Sequence, residues 1–238
     1  MADYQLTYFV SDLHMYSSRS QEERYLAEIE EKAARADNFV LGGDIFDFRW
    51  SMMTSIETTV VHAVHWLREL IVDCPNCHFY YILGNHDYHQ PLMDRLDRLA
   101  ATFDNFSWEP FYLRLGRSVF IHGDAADRMS TGEELAVARA RWLDAEKRGR
   151  MANRLYDFAV ANRLHAPVVR LVKTKKRTAK RIAAYLRDIG QDSSTGTRNV
   201  YFGHTHFSFT HYRFGGLTFH NGGAPIKGLH FEILKAVI

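Results

Sequence analysis

The sequence has only two cysteines and lacks any long apolar run. Cys74 and Cys77 share one Cys-Pro-Asn-Cys segment, so a zinc site built from two such pairs lacks half of its ligands, and a disulfide framework is excluded. Their place between a predicted helix and a predicted strand favours two reduced thiols. The longest apolar runs, such as 79–83, are far shorter than the roughly 20 residues of a membrane span, and Asp3 interrupts any signal-peptide pattern. We therefore expect a cytoplasmic globular protein.

The chain also has little net charge, but its charges are unevenly distributed. The formal net charge is +2, whereas residues 139–181 contain fourteen Lys or Arg residues and three acidic ones. The remainder of the chain is therefore net negative. A basic segment of this kind attracts phosphates, nucleic acid or an anionic membrane surface, and a solvated basic face is the alternative explanation.

Strand and helix patterns alternate in the first part of the chain. Short apolar runs at 6–10, 39–41 and 78–83 are typical of buried strands, and helical periodicity separates them at 21–36 and 56–71. This alternation predicts β-α-β units of an α/β fold. In such folds, ligands bind outside the carboxyl ends of the strands.

The second part of the chain changes character. Two apolar stretches at 111–115 and 118–122, separated by the turn residue Gly116, predict a β-hairpin. The pattern then becomes helical and rich in Arg and Ala from 133 to about 187, and strand patterns return from 199 onward.

This change predicts the domain organisation. We expect a core formed by residues 1–128 and 196–238, with an inserted helical cap at 129–195.

Five polar motifs lie where predicted strands end. In chain order they are Asp12-Leu13-His14, Gly43-Asp44, Gly84-Asn85-His86-Asp87, His122-Gly123-Asp124 and Gly203-His204-Thr205-His206. In an extended strand, residues two apart project to the same side, so Asp12 with His14 and His204 with His206 form two chelating pairs. Carboxylate and imidazole together suit Mn, Fe or Zn better than Mg or Ca. Asp44 follows two glycines, which allow a close turn from which one carboxylate can reach two ions.

The order of these motifs resembles that of the calcineurin-like metallophosphoesterase superfamily, and the resemblance covers essentially the whole chain. It implies a four-layer αββα sandwich and two divalent metal ions, with Mn expected first and Fe or Zn as alternatives. One metal would be held by Asp12, His14, Asp44 and His206. The second would be held by Asp44, Asn85, His122 and His204, so that Asp44 bridges the two ions.

The same resemblance implies catalytic roles. His86 would contact the phosphoryl group and protonate the leaving oxygen, with Asp87 behind it and Asn85 also facing the substrate. The chemistry is consistent, because two cations roughly 3.5 to 4 Å apart can bind a hydroxide and phosphate oxygens together. An imidazole that titrates near neutrality can then supply the proton that a leaving alkoxide needs. Asp47 and Asp124 adjoin the motifs, and we expect them to fix loops or ligands.

The helical insertion between the last two motifs resembles one branch of that superfamily, the UDP-2,3-diacylglucosamine pyrophosphohydrolases, in which a helical cap covers the metals. This resemblance implies a pyrophosphatase or phosphodiesterase acting on a lipid-linked nucleotide sugar. It also implies peripheral contact with the cytoplasmic face of the inner membrane. Lys175, Lys176 and Arg177 of the predicted cap are candidate substrate-binding residues, because they present a broad cationic surface to an anionic phosphoester.

Two departures from that branch keep other functions open. The branch carries Arg where this chain has His86, and Arg-Pro where it has Phe207-Ser208. A phosphatase or phosphodiesterase of soluble nucleotides is one alternative. A nuclease is another, although scarce aromatic residues in the basic segment argue against nucleic acid as a partner. An inactive phosphoesterase-fold scaffold is an alternative of a different class, and the motifs specify no oligomeric state.

Overall fold

The computed structural model describes residues 5–127, 131–143 and 174–238. Its strands are β1 (Thr7–Val10), β2 (Asn38–Gly42), β3 (His78–Ile82), β4 (Phe106–Glu109), β5 (Tyr112–Leu115), β6 (Ser118–Ile121), β7 (Asn199–Tyr201), β8 (Phe209–Phe214), β9 (Leu217–Asn221) and β10 (Leu234–Ala236). Its α-helices are α1 (Leu26–Ala33), α2 (Ile56–Asp73), α3 (Gln90–Thr102), α4 (Gly132–Ala140) and α5 (Lys175–Asp188). Short 3₁₀ helices lie at Glu22–Arg24, Asp124–Asp127 and Ser193–Thr195.

The strands form two five-stranded sheets. The first has the order β10-β1-β2-β3-β4, with β1 to β4 parallel and β10 antiparallel at one edge. The second has the order β5-β6-β7-β9-β8, in which β6, β7 and β9 are parallel and the two edge strands are antiparallel. Each sheet therefore has a parallel centre whose strands end on the same side.

The two sheets pack face to face through large side chains. The ring of Phe9 on β1 lies 5.8 Å from that of Phe120 on β6 and 6.0 Å from that of Tyr201 on β7, measured between centroids. Because side chains alternate along a strand, the residues next to Phe9 in sequence face the other way, toward the helices.

Helices cover the outer face of each sheet. Buried residues of α1, α2 and α3, including Ile29, Leu67 and Leu96, pack with the outer side chains of the first sheet. Ile182 and Leu186 of α5 pack on the second sheet. The order of layers is therefore helix, sheet, sheet, helix, which confirms the predicted four-layer α/β sandwich.

Local signals place most element boundaries where the sequence predicts them. The hairpin of β5 and β6 is confirmed, with Leu115 opposite Ser118. Helix α2 begins after Ser55, whose hydroxyl accepts a hydrogen bond from the Thr58 amide, and it continues to Asp73. The helix predicted at 21–36 is shorter than expected, because a 3₁₀ turn precedes α1 and α1 itself covers only Leu26–Ala33. Cys74 and Cys77 are free and buried at the junction of α2 and β3, as predicted.

Only part of the predicted cap belongs to the described residues. Helix α4 begins with a capping box between Thr131 and Glu134. Helix α5 begins after Thr174, whose hydroxyl accepts a hydrogen bond from the Arg177 amide. Residues 144–173 of the predicted cap lie outside the described ranges, so the boundaries of the cap remain a prediction. Within the described ranges, every helix is too short or too polar to cross a membrane.

Candidate metal centre

The polar motifs meet at one edge of the sandwich. Strands β1, β2 and β3 of the first sheet and β6 and β7 of the second end there, and each is followed within a few residues by a motif. The structure brings together all seven predicted metal ligands, namely Asp12, His14, Asp44, Asn85, His122, His204 and His206.

These side chains point into the cleft because their backbone is left-handed and not extended. Strand β1 ends at Val10, and the φ angles of Asp12, His14 and Asp44 are 55°, 47° and 50°. His204 and His206 have φ angles of 60° and 54°. The expectation that the two pairs converge through strand alternation is therefore wrong. Asp and His tolerate this conformation better than β-branched residues do, and here it turns each side chain into the cleft.

Glycines permit two of the close approaches. A Cβ atom at Gly84 would lie 2.2 Å from Oδ1 of Asp44, and one at Gly203 would lie 1.9 Å from Oδ2 of Asp12. Both distances are far below van der Waals contact. Any side chain at either position would displace the carboxylate that the cleft contains.

The first cluster consists of Asp12, His14 and His206, whose ligand atoms all lie within 4.8 Å of one another. Nε2 of His14 lies 3.1 Å from Nε2 of His206, which lies 3.4 Å from Oδ1 of Asp12. The Asp12 carboxylate also accepts a hydrogen bond from the His204 amide at 2.9 Å, which ties the two motifs together.

The second cluster consists of Asp44, His122 and His204. Nε2 of His122 lies 3.2 Å from Nδ1 of His204, 3.2 Å from Oδ1 of Asn85 and 3.3 Å from Oδ2 of Asp44. The same Asp44 oxygen lies 3.9 Å from Nε2 of His14 in the first cluster, while its other oxygen accepts from the His86 amide at 2.8 Å. Asp44 thus lies between the two clusters with one oxygen facing both.

Three histidines have one nitrogen in a cluster, and two of them have the other nitrogen on an acceptor outside it. Nδ1 of His122 lies 3.4 Å from the Gly42 carbonyl oxygen, whereas Nδ1 of His14 lies 3.4 Å from Oδ2 of Asp47 without a hydrogen bond. Nε2 of His204 lies 2.7 Å from Oδ2 of Asp127. An outer acceptor keeps a hydrogen on the outer nitrogen, so the inner nitrogen is the one that would offer its lone pair to a cation after losing its own proton.

The charges of the clusters are interdependent. Burial alone would raise the pKa of Asp44, but the neighbouring His122 and His86 hold that pKa well below its ordinary value. Burial would lower the pKa of His122, and Asp44 instead raises it to about 9. The carboxylate is therefore ionised and is balanced by protonated imidazole. Divalent cations bound here would displace that proton.

His86 lies beside both clusters with 17% of its side chain exposed. Its Nδ1 lies 3.1 Å from Oδ1 of Asp47, which also accepts a hydrogen bond on Oδ2 from Nη2 of Arg19 at 2.7 Å. Burial would lower the pKa of His86, and the carboxylates of Asp47 and Asp44 raise it instead. This arrangement fixes the imidazole ring, and one ligand atom each of His86, His14 and Asp44 lie within 4.8 Å of one another.

The expected pairing of Asp87 with His86 is corrected. The Asp87 carboxylate is buried and accepts hydrogen bonds from the Tyr81 hydroxyl at 2.6 Å and from the amides of Ile45 and Gly84. It therefore holds the loops that carry Asp44 and Asn85, whereas Asp47 orients the ring. The spacing Asp44-x-x-Asp47 was the available sequence signal, and its role was assigned only as loop or ligand support.

Two further residues support the site, of which the sequence prediction missed Asp127. Asp127 contacts His204 from the last position of the 3₁₀ turn that follows His122. Asn221 at the end of β9 donates to the Gly203 carbonyl at 2.8 Å and to the Thr205 hydroxyl at 3.1 Å, which holds the last motif in place. Neither residue belongs to a motif, and each reaches the site only through chain packing.

The predicted cationic residues lie at the start of α5. Lys175, Lys176 and Arg177 are exposed. Nζ of Lys175 lies 6.0 Å from the ring of Phe207 and 5.4 Å from that of Phe209, and Phe207 directly follows His206. The positive charge thus stands near the last motif but outside the clusters.

The sequence of this chain matches a known protein family. The family model described as calcineurin-like phosphoesterase matches residues 6–208. The chain belongs to the calcineurin-like phosphoesterase family. It is a metallophosphoesterase, a hydrolase that acts on phosphoesters, and its family is dimetal-dependent. These results confirm the family and the enzyme class that the motifs predict.

Individual relatives of this phosphoesterase are distant. Among solved structures it is similar to the crystal structure of a dimetal phosphatase from Danio rerio, at 12% identity over 94% of this chain and 88% of that chain, with a TM-score of 0.48. No curated protein matches the chain.

Proposed function

We propose that this phosphoesterase hydrolyses a phosphodiester or pyrophosphate bond with two divalent cations. The seven residues brought together at the strand ends would hold them: Asp12, His14, Asp44 and His206 one cation, and Asp44, Asn85, His122 and His204 the other. The convergence of ligand atoms carries this proposal, because the histidines and carboxylates form two adjacent clusters and outer acceptors orient the rings of His122 and His204.

The donor set also bears on which cation binds. Each cluster combines carboxylate oxygen with imidazole nitrogen, and the second adds an amide oxygen from Asn85. Mixed donors of this kind suit Mn²⁺, Fe²⁺ or Zn²⁺ better than Mg²⁺ or Ca²⁺. Of the three, Mn²⁺ binds oxygen ligands most readily. When bound, two such cations lower the pKa of a water molecule and offset the charge that develops on the phosphoryl oxygens.

His86 would protonate the leaving oxygen. Its Nδ1 is engaged by Asp47, so the proton would pass from Nε2. Asp47 would act as a positioning residue, because its carboxylate holds the imidazole ring and stabilises its charged form. Arg19 fixes Asp47 in turn, through the 2.7 Å contact of its guanidinium.

A substrate with a singly charged phosphoryl group fits this site better than a phosphomonoester. The Asp127 carboxylate stands beside His204 with 45% of its side chain exposed, so it contributes negative charge at the open side of the second cluster. A phosphomonoester is largely a dianion at neutral pH, and like charge disfavours it more than the monoanion of a diester.

Lys175, Lys176 and Arg177 would attract the distal anionic parts of a larger substrate. Their exposure near Phe207 supports a peripheral electrostatic role and not direct contact with the scissile bond. A lipid-linked nucleotide sugar such as UDP-2,3-diacylglucosamine carries a second phosphate beside the attacked one and is the leading candidate substrate, with peripheral contact with the inner membrane on its cytoplasmic face.

A substrate panel tests this proposal. The protein is stripped of metal, reloaded with Mn²⁺, and assayed with bis(4-nitrophenyl) phosphate, 4-nitrophenyl phosphate, UDP-2,3-diacylglucosamine and a single-stranded oligonucleotide. We expect metal-dependent cleavage of the diester at a kcat/KM at least about tenfold above that of the monoester. Preference for the monoester would contradict the substrate class, and absence of any metal-dependent turnover would contradict the proposed activity.

A further inference from the structure

Residues 131–143 cross from one half of the sandwich to the other. Leu135 of α4 belongs to the buried core beneath the second sheet, whereas Leu143 packs against the core of the first sheet. The segment between them passes the edge where the metal centre lies. Trp142 is the residue of this segment that faces the centre.

Trp142 lies between two side chains that come from the first sheet. Its ring centroid is 5.1 Å from that of His86, with the two planes inclined at 43°. The guanidinium carbon of Arg49, on the loop after β2, lies 5.1 Å from the indole. The indole is half-buried, so contacts with His86 and Arg49 fix its position while part of its surface stays open.

Two metal-centre residues also contact the His86 ring. Asp47 engages Nδ1, and the ring of His14 lies edge-on at 4.9 Å on the side of the metal clusters. Trp142 also contacts this ring, and part of its own surface stays open to a substrate.

We propose that Trp142 is a specificity-determining residue that contacts the substrate beside the metal clusters and favours substrates that carry an aromatic ring. The inference rests on the proposed function and on the position of the half-buried indole next to His86. An indole surface gains from offset or edge contact with a second ring, and an aliphatic substrate lacks that contact. Arg49 acts through Trp142, because it packs on the indole and sets its orientation.

Two matched substrates test this inference on the full chain loaded with Mn²⁺. Methyl 4-nitrophenyl phosphate has an aryl leaving group, and bis(2,2,2-trifluoroethyl) phosphate has only aliphatic ones. We expect Trp142→Ala to lower kcat/KM for the aryl ester about tenfold more than for the aliphatic ester, and Trp142→Phe to restore most of that preference. Trp142→Leu keeps apolar volume without the ring, so it should behave like the Ala variant even where Ala weakens folding.

The controls separate a substrate contact from other roles. Trp108→Ala removes an indole on β4 that donates to Asp97, and it should leave the ratio of the two substrates unchanged. Equal losses on both substrates in the Trp142 variants, or no loss on either, would overturn the inference, since the first outcome means that Trp142 only supports His86. If the unaltered protein cleaves neither ester with metal bound, the proposed function fails and this inference fails with it. Cleavage of both with an unchanged ratio overturns the role of Trp142 alone.

Discussion

Arg139 and Asp124 form a buried two-point ion pair, with Nε 2.8 Å from Oδ2 and Nη2 2.8 Å from Oδ1. The guanidinium also donates to the Pro110 carbonyl and lies over the rings of Tyr88 and Phe111. Asp124 follows His122 by two residues, and Arg139 lies near the end of α4. The pair therefore fastens this helix to a loop of the metal centre.

Removal of one partner should leave the other charge buried without compensation. We expect Arg139→Ala to lower the free energy of unfolding by about 3 to 5 kcal/mol, measured by urea denaturation. Arg35→Ala is the matched control, because Arg35 pairs with Glu31 on an exposed helix face, and it should cost less than about 1 kcal/mol. Similar small losses in both variants would show that solvent reaches the Asp124 carboxylate.

Two substitutions should distinguish loss of bound metal from loss of proton donation. We expect Asp44→Ala to lose bound metal and activity together, because its carboxylate lies between the clusters. His86→Ala should retain metal and lose about 10² to 10⁴ in kcat. Metal analysis of the purified variants beside steady-state kinetics decides the matter. Unchanged turnover of His86→Ala would refute its role as the proton donor.

Asp47 and Asp87 should differ in their effect on catalysis when each is changed to Asn. Asp47→Asn should lower kcat about 10-fold to 100-fold, because it weakens the orientation of His86, and it should also lower the free energy of unfolding, because it leaves the buried Arg19 charge without its partner. Asp87→Asn should lower the free energy of unfolding by about 1 to 3 kcal/mol, because one oxygen that accepts hydrogen bonds becomes a donor. Parallel measurements of kcat and urea denaturation distinguish them. A larger kcat loss in Asp87→Asn would restore it as the partner of His86.

Charge reversal at the start of α5 should depend on the size of the substrate. With Lys175, Lys176 and Arg177 all changed to Glu, we expect KM for UDP-2,3-diacylglucosamine to rise at least about tenfold at low salt. The KM for bis(4-nitrophenyl) phosphate should change less than about twofold, because it carries no distal anionic group. The same reversal at Arg24, Lys32 and Arg35, around α1, controls for net charge. Equal effects of the two triple variants would exclude a local role for α5.

The two thiols should be inert in the folded protein. Burial raises the pKa of Cys77 to about 12 and also raises that of Cys74. Since the thiolate is the reactive form, Cys77 should react about a thousandfold more slowly with a disulfide reagent at mildly alkaline pH than it does in urea. Cys74→Ser isolates its signal. Rapid labelling of that variant under native conditions would show that the junction of α2 and β3 opens.

The sequence predicted the types and the order of the residues at the candidate site better than the backbone geometry that positions them. The ends of parallel strands share an edge, so the five motifs were expected to lie together, and their division into two clusters followed from the family resemblance. The left-handed turns at Asp12 and His14 could not be inferred, since no glycine occupies either position and strand alternation offered a simpler explanation. The partner of His86 depends on how the loop after Asp44 folds. That path is set by packing of Ile45 and Phe46, which periodicity does not describe.

Five residues of the candidate metal centre have a left-handed backbone, so their arrangement forms only as the protein folds. They are Asp12, His14, Asp44, His204 and His206. Each such residue costs on the order of 1 kcal/mol relative to ordinary conformations, so a free chain would rarely sample all five together. Sheet and helix packing supplies that free energy as the protein folds, and the donor atoms are arranged before any cation arrives. Capture and release of metal would then be exchange at a preformed site, and one divalent ion would replace another while the sandwich stays folded.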